Sequence, residues 1–176
     1  MSAKNDSIWN ALRAEAEESA TTERLWVAYF QETVLGQKSF AAALSYTLAS
    51  KLRDDILPSI TLRDLFLEIL EEEDGLREIV RVDLQAVKDR DPAAAGYLTP
   101  FLFFKGFHAL SAYRFAHYLW FEDRKTLALY LQSLISKVFG VDIHPAATIG
   151  RGILIDHGNG VVIGETAVLG DNVSSF

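Results

Sequence analysis

From about residue 5 to residue 138, apolar side chains recur at intervals of three and four residues, the spacing that gathers them on one face of an α-helix. Ile8, Trp9, Leu12 and Ala16 form a stripe opposite Arg13, Glu15, Glu17 and Glu18. Leu25, Val27, Ala28, Phe30 and Val34 belong to a second segment, which Gly36 ends. Ser39 is placed to N-cap a helix over 40–52. After Pro58, Thr61 with Asp64 predicts a capping box that opens a helix over 62–72. Leu76, Ile79, Val80, Leu84 and Val87 keep the helical spacing as far as Arg90. Asp91-Pro92 stops that run, because a residue before proline is pushed out of the α region. Thr99-Pro100 offers an N-cap and a first-turn proline for one long apolar helix over 101–121, and a last helix is expected from about 124 to 138. Lys105, His108, Arg114 and His117 interrupt the long apolar run at regular intervals. A spanning helix wants about 20 apolar residues with few or no charges, so the run reads as a core helix rather than a membrane span.

At Phe139-Gly140 the pattern changes. Residues from 141 onward have no helical period, and the chain divides into sixes led by Ile143, Ile149, Ile155, Val161, Ala167 and Val173, every lead position being apolar. A hexad makes one very short strand and a tight turn, so three hexads close a triangular coil whose apolar leads stack on those of the next. The fold class expected is an all-α N-terminal helical domain, residues 1–140, followed by the first, incomplete coils of a left-handed parallel β-helix of hexapeptide repeats, residues 141–176. Five full hexads and a fragment are less than two such coils.

With 49% apolar residues the chain can build a core, and its formal charge of −7 disfavours nucleic acid or an anionic membrane as a partner. The acidic run Glu71–Asp74 reads as a solvated helix face. The absence of cysteine removes disulfides and thiolate metal sites, and the first residues show no basic region, apolar core or cleavage site of a leader, which points to the cytoplasm.

His157 is either a polar turn residue or a general base. Asp142 and Asp156 are able to satisfy backbone amides at coil corners, and Asp91 to end a helix. His108 and His117 lie on the apolar helix as core groups, His144 reads as structural, and no His, Asp and Glu spacing suits a metal, so none is predicted.

Two stretches carry more: Asp142-Ile-His-Pro-Ala-Ala-Thr-Ile-Gly-Arg-Gly-Ile, and Asp156-His157-Gly-Asn-Gly-Val-Val-Ile-Gly-Glu-Thr-Ala. With AAALSYTLASKL and DLQAVKDRDPAAAGYLTPFLFFKGFHALSAYR from the helical part, they resemble the bacterial serine O-acetyltransferases over essentially the whole chain. The resemblance implies acetyl transfer from acetyl-CoA, as co-substrate and with no bound cofactor, to the hydroxyl of L-serine, the first step of cysteine biosynthesis from serine. It implies His157 as base, Asp142 as the carboxylate that orients it, and Asp91 with Asp156 as partners of the substrate ammonium. It also implies a homo-oligomer, a trimer through the β-helix and a hexamer through the helices, and, in the family, O-acetylserine sulfhydrylase as a partner through a C-terminal tail that is absent from this sequence. Members of the family continue into further coils that carry most of the CoA groove, so a chain truncated at Phe176 is expected to be impaired. The alternatives are an oligomerising remnant without chemistry, and a hexapeptide acetyltransferase with another acceptor, against which the helical domain and Asp91-Pro92 speak.

Overall fold

The computed structural model describes residues 6–175. Residues 1–5, part of the segment read as lacking a leader, and Phe176, the end of the last hexad fragment, lie outside them.

Helix α1 (Ser7–Thr22) starts where the Asp6 carboxylate accepts the Trp9 amide at 3.1 Å. Helix α2 (Trp26–Phe30) runs into a wider π-turn over Gln31–Leu35, closed where the Gly36 amide donates to the Gln31 carbonyl at 2.8 Å. Ser39 caps α3 (Phe40–Leu52) as expected, its hydroxyl accepting the Ala42 amide. Helices α4 (Ser59–Glu72) and α5 (Asp74–Arg90) follow, and α5 ends at Asp91 where the proline rule places its stop.

Two boundaries differ from the pattern reading. The capping box at Thr61 and Asp64 does not form: α4 starts at Ser59, with Pro58 as its boundary residue and Asp64 turned to Arg63. Proline lacks an amide and already has a helix-compatible φ, so it opens the helix without a side-chain cap. The long apolar helix is broken into α6 (Leu98–Phe103) and α7 (Lys105–Phe121), with Phe104 extended between them. Thr99 and Pro100 sit inside α6. Its free amides are taken instead by Glu15, whose carboxylate accepts Tyr97 N–H at 3.1 Å and Leu98 N–H at 2.7 Å. Helix α8 (Lys125–Phe139) ends on Gly140, which takes the left-handed conformation at φ 71°.

Six short strands then wind into parallel pairs: β1 (Val141–Ile143) with β4 (Val161–Ile163), β2 (Thr148–Ile149) with β5 (Val168–Leu169), and β3 (Leu154–Ile155) with β6 (Ser174–Ser175). This is the rung order of a β-helix. Val141 pairs with Val161, Thr148 with Val168 and Leu154 with Ser174, so one turn takes 20 residues, two more than three hexads. The extra pair lies between Ile155 and Ile163, where His157, Gly158 and Gly160 have φ of 52°, 67° and 76°. The frame of six leads is corrected accordingly. Ile143 stacks over Ile163 and Ile149 over Leu169, whereas Val161 falls under Val141. The first two first-coil faces bury two positions each, 141 with 143 and 147 with 149, and the third, which faces α5 and α7, buries 153, 154 and 155.

One continuous apolar core joins the helices to this first coil: Val141, Ile143, Ala147, Ile149, Ile153 and Ile155 belong to the same cluster as Phe107, Leu110, Leu134 and Phe139. The second coil is more open, with Val162 and Val168 74% and 77% exposed.

Candidate active site

The corner after β3 is made by residues that tolerate left-handed backbone. Gly158 N–H closes on the Asp156 carbonyl at 2.5 Å, and Gly160 N–H donates to the carbonyl of Gly140 at 2.9 Å. Between Asp156 and Gly158, His157 holds φ 52°, a conformation that costs a non-glycine residue on the order of 1 kcal/mol. Such strain persists only where the surroundings impose it, and here they come from α7. A Cβ added to Gly106 would overlap the Ile155 carbonyl oxygen, which shows how closely the helix backbone abuts the strand leading into the corner. Lys105 Nζ donates to Asn159 Oδ1 on the far side.

The result is an imidazole presented to solvent, 91% exposed, with Nε2 3.7 Å from Asp156 Oδ1. Asp156 is itself held, its amide donating to the Ser175 carbonyl at 2.8 Å. Asp142 is the middle residue of β1, its side chain on the face opposite to the buried Val141 and Ile143, and its carboxylate accepts the Gln132 side-chain amide at 2.7 Å. Among the described residues no ion pair or hydrogen bond joins Asp142 to His157 within the chain. Asp91 caps α5, with Oδ1 accepting the Ala93 amide at 2.8 Å and its carbonyl accepting that of Ala94 at 3.0 Å. The neighbouring Arg90 crosses to the coil, donating to the Gly152 and Asn172 carbonyls and to Ser174 Oγ. The fold thus brings Asp156 to His157 and draws the Asp91 turn toward the β3–β6 face, while Asp142 stays with Gln132.

The other histidines are accounted for by packing. His108 is buried, donates from Nε2 to the Phe101 carbonyl at 2.8 Å, and has its pKa lowered to about 3 by burial and then by the Lys51 charge. Burial also lowers the pKa of half-buried His117, against the opposing effect of its Nδ1 bond to the Pro145 carbonyl at 2.7 Å. His144 packs edge-on to Trp120, and its Nδ1 accepts the Ala146 amide. Among the described residues no three acidic or imidazole side chains converge in a metal-ligating arrangement.

Pattern reading missed the groups that tie helices to coil: Arg90, Gln132 and the buried pair Asp83–Arg114. A signal for Arg114 was available, since a charge in the middle of an apolar helix calls for a buried partner.

Residues 8–112 match the family model described as "Serine acetyltransferase, N-terminal". The chain belongs to the serine acetyltransferase family. It is 47% identical over 167 residues to the serine acetyltransferase of Haemophilus influenzae, covering 95% of this chain and 62% of that relative, so it spans less than two thirds of that protein's length. Its structure superposes on soybean serine acetyltransferase complexed with serine at a TM-score of 0.93 and 46% identity, covering 96% of this chain and 69% of that one. A serine acetyltransferase in complex with CoA gives 0.92 at 47% identity, covering 95% and 71%. The match takes in helices and parallel rungs alike, so the architecture of a helical region leading into a β-helix is that of the serine acetyltransferase family.

Proposed function

We propose that this serine acetyltransferase family chain carries the helical part and the acceptor-activating corner of an enzyme that moves the acetyl group of acetyl-CoA to the L-serine hydroxyl, giving O-acetyl-L-serine and CoA. The observation that carries the reading is His157, a non-glycine residue kept at positive φ on a two-residue insertion, with its ring open to solvent and a carboxylate 3.7 Å away. Two solved relatives, one complexed with serine and one with CoA, support the choice of substrates.

A serine hydroxyl is a weak nucleophile at neutral pH. In the proposed reaction His157 accepts its proton as the oxygen bonds to the thioester carbonyl carbon. The tetrahedral intermediate then collapses by breaking the carbon–sulfur bond, and the same imidazole returns the proton to the departing sulfur. Asp91 and Asp156 are the partners of the substrate ammonium, and Asp142 the group that orients the imidazole. Hydrogen bonds of catalytic groups are commonly loose before substrate binds, and the His157 ring is open to solvent.

The same reading takes residues 1–140 as the self-associating unit and 141–176 as the start of the catalytic coil. Exposed Leu25, Trp26, Val27 and Phe103, clustered through aromatic contacts of Trp26 and Tyr29 with Phe103, support association through the helices. No helix among the described residues is long and apolar enough to cross a membrane. A cytoplasmic location and a trimeric or hexameric assembly complete the proposal.

Thioester cleavage with L-serine as acceptor tests it. CoA release is expected to depend on serine and to fall by roughly 10²- to 10⁴-fold in His157→Asn, with the fold retained by circular dichroism. Serine-independent release, or an undiminished His157→Asn rate, would overturn the reading. Native mass measurement decides the assembly state.

A further inference from the structure

Asp91 closes a helix of the first region and Asp156 opens a corner of the coil, and the proposed ammonium site needs the two held in a fixed relation. We propose that Arg90 is the positioning residue that holds them so. This inference rests on the reading of Asp91 and Asp156 as substrate carboxylates.

Four of the five guanidinium N–H groups donate to protein acceptors. Nε donates to the Ala86 carbonyl at 3.3 Å within α5, which anchors the side chain to its own helix. Nη1 donates to the Asn172 carbonyl at 2.9 Å and to Ser174 Oγ at 3.0 Å, and Nη2 donates to the Gly152 carbonyl. One side chain thereby bridges both coils, at the turn before β3 and at the turn before β6. Those strands pair with one another, and the ladder continues past them to Asp156, whose amide donates to the Ser175 carbonyl. On the helix side only one peptide separates Arg90 from Asp91, whose carboxylate and carbonyl order the following turn through Ala93 and Ala94. The bonds it makes go to carbonyls and a hydroxyl, and Arg90 takes up neither carboxylate. Among the described residues Asp91 forms no ion pair, and the basic side chain nearest the Asp156 carboxylate is His157, at 3.7 Å.

The planar fork matters here, since a lysine ammonium offers one point of contact where three acceptors sit in different directions. Loss of the fork frees the Asp91 turn from the coil and leaves the Gly152 and Asn172 carbonyls without this donor. A role confined to stability would lower the unfolding midpoint without altering how folded protein binds serine.

The test uses the full chain, with calorimetric titration of L-serine and amide hydrogen exchange on wild type, Arg90→Gln, Arg90→Lys and Arg77→Gln, the last an α5 arginine that bonds only within its own neighbourhood at Leu70 and Asp74. Arg90→Gln is expected to bind L-serine about tenfold more weakly. It should also exchange faster at the amides of Ala93, Ala94 and Asp156. Arg90→Lys should fall between it and wild type, and Arg77→Gln should match wild type. Unchanged exchange at those three amides, or wild-type serine affinity in Arg90→Gln, overturns the role. If wild type fails to bind L-serine, or Asp91→Asn binds it normally, the reading of the carboxylates fails instead. The exchange result then decides by itself whether Arg90 couples the two turns.

Discussion

Asp83 and Arg114 form a buried ion pair, with Nη2 and Nε donating to Oδ2 at 3.0 and 3.1 Å, and the other hydrogen bonds that the two side chains make end on the backbone of the first coil. Arg114 donates to the carbonyls of Ile149 and Gly150, and Asp83 Oδ1 accepts the Ile153 amide at 3.0 Å. The pair therefore replaces the neighbour that a first coil lacks on its helix-facing side.

Breaking it is expected to be severe. Arg114→Met leaves a carboxylate that is 1% exposed without its counter-charge, which costs about 3–5 kcal/mol. Replacing both residues by apolar ones often restores stability in other buried pairs. Here it should not, because three backbone groups of the coil would lose their partners. Urea denaturation of the single variants and of Asp83→Leu with Arg114→Met checks this, and a double variant close to wild type would show that the coil does not depend on these bonds.

The same pair shows what a sequence discloses and what it hides. Helices α3, α5 and α8 were legible because each buries one periodic face and begins or ends on a residue with a plain backbone reason, Ser39, Pro92 or Gly140. The coil was legible because its inward positions are apolar at a fixed beat. Its frame was not, since Val161 and Ile163 are both apolar and either suits a lead position; only the pairing of Val141 with Val161 reveals the two residues added around His157. The start of α6 was hidden as well, because the group that caps it, Glu15, lies 83 positions from Leu98. Asp142, Asp156 and Asp91 could be singled out by motif, but their partners Gln132, Ser175 and Ala93 follow from tertiary contacts or local turns that no periodicity encodes.

Alanine at two helical glycines should have opposite effects. Gly75, near the start of α5, has nothing within 4 Å of an added Cβ, so Gly75→Ala is expected to stabilise by about 0.5 kcal/mol through helix propensity and a less flexible unfolded chain. At Gly106 the same methyl meets the Ile155 carbonyl, whose carbon would lie 2.9 Å away. The strand is backbone and cannot swing aside, so Gly106→Ala should lose more than the propensity gain, about 1–3 kcal/mol. Thermal melts of the two variants provide the comparison, and a stabilised Gly106→Ala would mean that α7 and the corner are not in contact.

His108 predicts an acid-side loss of stability. Its pKa in the folded chain is lowered to about 3, whereas an exposed histidine titrates near 6.5, so the folded state favours the neutral ring. The contribution is complete above pH 6.5 and falls away as pH drops, because the unfolded chain binds the proton and the folded chain does not. Between pH 7 and pH 5 this amounts to about 2 kcal/mol. His117 is shifted in the same direction. His108→Gln keeps a donor for the Phe101 carbonyl and cannot titrate, so its stability should decline less over that interval. Parallel urea midpoints for the two proteins across the range would remove the assignment.

At residue 157 stability and activity should separate. The left-handed backbone there, φ 52°, disfavours any side chain by about 1–2 kcal/mol, while glycine adds about 0.5–1 kcal/mol of unfolded-state freedom. The first effect exceeds the second, so His157→Gly is expected to be more stable than wild type by up to about 1 kcal/mol. Asparagine enters this region readily and should leave stability near wild type, whereas His157→Ala retains the strain. The exposed ring has little packing to lose in any of the three. All three variants remove the proposed base and should lose acetyl transfer to a similar degree, whatever their stability. Urea denaturation beside serine-dependent CoA release measures both quantities on the same samples. A glycine variant that unfolds more easily than the alanine one would show that the corner is not strained, and the conformation of His157 would no longer argue for a role in the chemistry.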